Sequence, residues 1–165
     1  IILRNCKFGI EFRNVIVYFY ILFVQPGSIF NCLVLLGISP EAGYHHDLDE
    51  MIRAMTGYEF FDSIPQSIKP DMAKVFLLAT EAFSTIANNP DLPSAVMDEQ
   101  QRYDWKKSQL HSRVMQRASK SMASRYFSVP PKEFMFISRK FIGAYTFMTV
   151  IDAKTNVRKM VENFL

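Results

Sequence analysis

A proline pair, Pro130-Pro131, opens the stretch that most constrains how this chain can fold. Consecutive prolines end any preceding helix and preset the backbone for a first helical turn, and Glu133 sets a negative charge against the positive end of the new helix. Residues 128–165 therefore read as one long helix followed by a short one. Phe134, Ile137, Phe141, Ala144, Tyr145, Met148 and Ile151 recur at three- and four-residue steps and share one side. Met135, Phe136, Ile142, Phe147 and Val150 fill much of the other side, which predicts a helix buried over most of its surface. Two basic residues interrupt it, with Lys140 expected to snorkel to water and Arg139 to pair with an acid. Gly143 costs about 1 kcal/mol against Ala in a helix, so its presence predicts a close helix contact. After Asp152-Ala153-Lys154, Thr155 or Asn156 is placed to cap a final helix running to Phe164.

The same run carries a resemblance. P-P-x-E-F-x-F-x-x-R-K-x-x-G-x-Y over residues 130–145, then D-A-K-x-N over 152–156, is similar to the C-terminal end of the UbiB/AarF-domain family. Its members are atypical kinase-like proteins linked to coenzyme Q and other isoprenoid lipids. The similarity covers residues 130–156, none of which is catalytic in the family. It implies ATP and Mg²⁺ as cofactors of the parent family, with ATPase or kinase-like chemistry in ubiquinone or isoprenoid-lipid metabolism. It also implies membrane association: mitochondrion or plastid in a eukaryote, inner face of the cytoplasmic membrane in a bacterium. In the family a strand leads into Asp-Phe-Gly, whose aspartate holds the magnesium ion. Here Lys7-Phe8-Gly9, within residues 1–14, stands at that place, and a lysine cannot ligate a cation that takes oxygen ligands. Two readings stay open: a degenerate metal-binding loop, or an unrelated terminus.

At 165 residues, half of them hydrophobic, the chain can bury a real core as a single domain, and such a composition excludes a disordered chain. Cys6 and Cys32 are too few and too embedded in apolar sequence for a disulfide framework or a zinc site. The net charge of +3 conceals a polarity. Residues 41–62 hold six acids against Arg53, and residues 102–125 hold seven bases against Asp104, so the blocks can face each other or separate partners. The basic stretch reads as one helix with a narrow apolar face of Tyr103, Leu110, Val114, Ala118, Met122 and Tyr126. Its bases Arg102, Lys106, Lys107, Arg113, Arg117 and Lys120 suit a solvated face, with contact to an anionic membrane surface as the alternative. No aromatics interleave with the bases as single-strand binding requires, so nucleic acid is not an expected partner.

Residues 15–40 contain no charge. The first apolar run, residues 15–24, makes about 15 Å of helix where a membrane span needs about 20 residues. Gln25-Pro26-Gly27-Ser28 breaks it, and residues 29–38 form a second run, so a buried helical hairpin is expected, with a membrane anchor over residues 15–38 as the alternative. In the acidic block, His45 with Asp49 and His46 with Glu50 fall four residues apart, half of a metal site with no third ligand. An ordinary helix with Leu48, Met51, Ile52 and Met55 inward and Gly57 at its end is expected there. Asp71 is placed to cap a further helix through Val75, Leu78, Ala79, Ala82 and Ile86 as far as Asn88-Asn89-Pro90, and Ser94 to cap the next.

No catalytic, cofactor-binding or metal-ligating residue is assigned. The phosphate-anchoring lysine, nucleotide-covering loop and catalytic Asp and Asn of the kinase route are missing, as are G-x-x-x-x-G-K-[ST] and G-x-S-x-G. The expectation is a single, mainly α-helical domain over residues 1–165, with six to eight helices and one short N-terminal strand. By resemblance it is the helical C-terminal part of a protein-kinase-like C-lobe, a piece of a larger domain whose remainder is its partner. It has a structural role, carries no targeting signal and performs no turnover by itself. A free-standing helical interaction module is the alternative.

Overall fold

The computed structural model describes residues 38–122 and 132–162. Lys7-Phe8-Gly9, all but Ile38 of the hairpin expected over residues 15–38, and the helix start at Pro130-Pro131 lie outside the described residues. The fold is mainly helical with one small antiparallel sheet. Helix α1 (Pro40–His45) begins with Ser39, whose hydroxyl accepts from the Ala42 N–H at 3.0 Å. His46 then takes the left-handed conformation, φ 55°, and Asp47 caps α2 (Leu48–Met55) by accepting from the Glu50 N–H at 2.9 Å. One expected helix is thus two, and His45 and His46 share no helix face with Asp49 and Glu50. The stripe of α2 is as expected, with Met51 and Met55 buried and Leu48 and Ile52 packed beside them.

After Gly57, at φ 90°, come the short α3 (Glu59–Asp62) and α4 (Lys69–Ala79). Helix α4 starts before Asp71, with Pro70 in its first turn, and stops well short of Asn88. The Thr80 hydroxyl donates to the carbonyls of Phe76 at 3.0 Å and Leu77 at 3.2 Å, and the chain tightens into a 3-10 turn at Glu81–Phe83. A second such turn, Ser94–Val96, replaces the helix expected after Ser94.

The basic stretch is not one helix. Strand β1 (Tyr103–Asp104) pairs antiparallel with β2 (Lys154–Thr155), Tyr103 opposite Thr155. Asp104 caps α5 (Trp105–Ser108), accepting from the Lys107 N–H at 2.9 Å. Gln109 at φ 47° then breaks the chain before α6 (Leu110–Met122). Tyr103 is therefore buried from a strand rather than from a helical stripe.

Helix α7 (Lys132–Val150) joins two cores. Its first half lays Phe134 against Phe60, Phe61 and Phe76, with ring centroids 5.8–6.3 Å apart, over Met51 and Met55. Its second half sends Tyr145 and Met148 into a cluster around Trp105, Tyr103, Leu110, Val157 and Val161. The Tyr145 hydroxyl donates to the Ala79 carbonyl at 2.6 Å, and the Trp105 indole N–H to Thr155 Oγ1 at 2.8 Å. Asp152, φ 56°, ends the helix, and Asn156 caps α8 (Val157–Val161) as expected. Arg158 of α8 stacks 3.4 Å over the Tyr44 ring and donates to the carbonyls of Tyr44 and Phe83, tying α8 to α1.

The outward side of α7 differs from expectation. Met135, Phe136, Phe147, Val150 and Ile151 are exposed, because only the Phe134–Phe141–Tyr145–Met148 side meets the two cores. Arg139 is exposed with no ion pair among the described residues, and Lys140 lies 4.6 Å over the Phe136 ring. A Cβ placed on Gly143 meets nothing within 4 Å, so no neighbour in the described fold accounts for that glycine.

Gly43 is the opposite case. A Cβ there would lie 2.5 Å from the Thr80 Cβ, and Thr80 is held by its two hydrogen bonds. Gly43→Ala is expected to lower stability by about 1–3 kcal/mol through overpacking, read as a reduced urea midpoint; an unchanged midpoint would contradict the α1–Thr80 contact.

Candidate functional site

The most constrained polar group in the fold forms where α4 ends. Thr80 stops the helix and the 3-10 turn points Glu81 inward, leaving its side chain only 3% exposed. A carboxylate so placed needs a partner. Arg113, one turn into α6, supplies a fork: Nη1 donates to Oε1 at 2.8 Å and Nη2 to Oε2 at 2.6 Å. From β1 the Tyr103 hydroxyl donates to Oε1 at 2.6 Å. Burial first, then the negative charge of Glu81, pushes the Tyr103 hydroxyl far above the usual tyrosine range, so it remains a donor. The hydrogen bonds that Arg113 donates to Glu81 hold its guanidinium above even its ordinary value.

This pair joins the C-terminal end of α4 to the N-terminal end of α6, and the two helices pack against each other. Between them opens a cleft of about 870 Å³. Leu48, Ile68, Leu77 and Leu78 contribute apolar walls, and Lys74, Arg117, Lys120, His46, Asn89 and Asp91 contribute polar ones. His46 Nδ1 is buried with no hydrogen-bond partner among the described residues. Burial lowers the His46 imidazole below its ordinary 6.5, against the opposing pull of Asp91 and Glu81.

The bases of the second block mostly hold acids of their own. Arg102 binds Asp98 at 2.8 Å, Lys106 binds Asp152 at 3.0 Å, Arg113 binds Glu81, and Lys107 lies 3.9 Å from Asp104. Acids of the first block pair nearby, Glu50 with Arg53 and Asp62 with Lys69. Sequence reasoning placed Arg113 among the bases but missed Glu81 and Tyr103. The available signal was Glu81 itself, a lone acid inside the apolar run from Val75 to Phe83.

The chemistry open to these groups is limited. Among the described residues no three His, Cys, Asp or Glu side chains converge as a metal site. Ser112 Oγ lies 3.1 Å from His111 Nε2, but the other ring nitrogen faces the Thr149 hydroxyl at 3.4 Å rather than a carboxylate. A nucleophile and base with no acid to orient them do not make a hydrolytic triad. In Glu81–Arg113–Tyr103 both carboxylate oxygens are already occupied, by Arg113 and Tyr103, and Arg113 also donates to the Ser108 carbonyl. Among the described residues no helix is long and apolar enough to cross a membrane.

Removing Arg113 strands a buried carboxylate, whereas removing Glu81 frees a guanidinium that already has a third of its side chain in water. Arg113→Ala is expected to cost about 3–5 kcal/mol in urea unfolding, with Glu81→Gln costing less; equal costs would contradict the asymmetry. For His46 the folded value lies below the unfolded one, so its contribution is whole above about pH 6.5 and lost as pH falls through the lowered value. His46→Asn, which tolerates the left-handed backbone, is expected to flatten stability against pH in that window.

Comparison with known proteins adds no relative: no family profile, no curated protein and no solved structure matches this chain.

Proposed function

We propose that this chain is the helical C-terminal region of an atypical kinase-like protein of the UbiB/AarF type, serving as scaffold and not as a catalytic part. The observation that carries the reading is the order of residues over 130–156: proline pair, E-F-x-F, basic pair, glycine, tyrosine and D-A-K-x-N. The roles these residues take support a scaffold. Phe134 and Tyr145 pin α7 to two cores, Asp152 turns the chain, Lys154 lies in β2 and Asn156 caps α8. ATP and Mg²⁺ belong to the parent family's chemistry at a membrane, in isoprenoid-lipid metabolism. The partner implied is the remainder of a kinase-like domain. A second reading, a free-standing helical interaction module, is favoured by the exposed apolar side of α7.

Mg-ATP is expected to leave the melting temperature of the 165-residue chain unchanged, and a clear rise overturns the scaffold role. Kinship has its own test, in which residues 128–165 replace the corresponding helices of a UbiB/AarF protein. ATPase activity is expected to persist in the chimera; its loss in a chimera with an intact circular dichroism spectrum favours the interaction module instead.

A further inference from the structure

On the side away from both cores, helix α7 carries apolar side chains that the described residues leave exposed. Phe136, Lys140, Gly143, Phe147 and Val150 step along it by four, three, four and three residues, so they lie within one arc. Phe136 is 61% exposed and Val150 77%, and Met135, Phe147 and Ile151 are exposed beside them. At the centre stands Gly143, with open space where its Cβ would be. A mid-helix glycine normally marks close approach of another backbone, and the described fold brings none to it.

The stripe is also self-complementary. Counting outward from Gly143 in both directions, Arg139 matches Phe147, Phe136 matches Val150 and Met135 matches Ile151. Two copies of α7 crossing antiparallel at Gly143 would set Phe136 of each against Val150 of the other, and each Arg139 guanidinium over the other's Phe147 ring. Charge selects that direction. A parallel pair places Arg139 and Lys140 beside their own copies, whereas the antiparallel pair separates the two Arg139 side chains by roughly 12 Å along the axis. That exceeds the Debye length of about 8 Å at physiological salt. We infer that α7 docks on a second copy of this chain, as a two-fold antiparallel helix pair centred on Gly143. Such a contact buries the same patch on both copies and closes on itself. It goes beyond the scaffold role proposed above and does not depend on it.

Sedimentation velocity of the full chain is expected to show a concentration-dependent dimer. Gly143→Leu is the telling variant, since in one copy it enters open space and improves helix propensity, while between two copies it fills the point of closest approach. It should raise the melting temperature of the monomer and weaken the dimer at least about tenfold. Val150→Asp should also dissociate the pair. With a benzophenone side chain at position 147 and a mixture of isotopically light and heavy chains, light-to-heavy cross-links should map to the peptide around Arg139. Three results overturn the inference: a chain still monomeric near about 1 mM, a dimer indifferent to Gly143→Leu, or cross-links confined within one chain, residues 1–37 included.

Discussion

The burial of Glu81 is the constraint on which the arrangement of helices depends. A carboxylate this far from water is tolerated only while its oxygens are occupied, and here Arg113 and Tyr103 occupy them. The three groups come from the end of α4, the start of α6 and a two-residue strand, so satisfying one charge sets the mutual position of three elements. Replacing such a pair by apolar groups of similar volume can be neutral or stabilising, so its value here is positional as much as energetic. The Glu81–Arg113 contact lies in the packing of α4 against α6, and both residues line the cleft there.

Around this polar centre the packing is carried by α7. One side of that helix serves two cores, with aromatic rings at Phe134 and Tyr145 as its anchors, and Arg158 closes the far side by stacking on Tyr44. The sheet between β1 and β2 is short, yet it fixes the indole of Trp105 against Thr155 and brings Lys106 to Asp152. The two sides of α7 are thus unequal. The inner side is committed to rings and hydrogen bonds, and the outer side presents phenylalanine, valine and an open glycine.

Much of the local structure was legible from residue types, and the misreadings share a cause. Asn156 caps its helix as expected because a side-chain oxygen bonding the backbone two or three residues on is a local event. The stripe of Met51 and Met55 was legible for the same reason. The breaks at His46 and Gln109 were not, because each depends on a left-handed residue that is neither glycine nor the asparagine most prone to it. Those two breaks separate the histidines from their expected acidic neighbours and divide the basic stretch into strand, turn and helix. The candidate site was the least legible part: Arg113 was visible only as one base among several, and its partners lie 32 residues away at Glu81 and ten residues back at Tyr103.

The sequence by itself determined the helical class, the two-sided apolar character of residues 134–151 and the caps at helix ends, since periodicity and capping act within a few residues. Only the tertiary structure decided which side of α7 is covered, that a lone glutamate is neutralised by a distant arginine and tyrosine, and that Gly143 has no neighbour in the described fold. Those outcomes depend on contacts between residues far apart in the chain, where the cost of burying a charge and the need to fill space select among pairings that periodicity leaves equivalent.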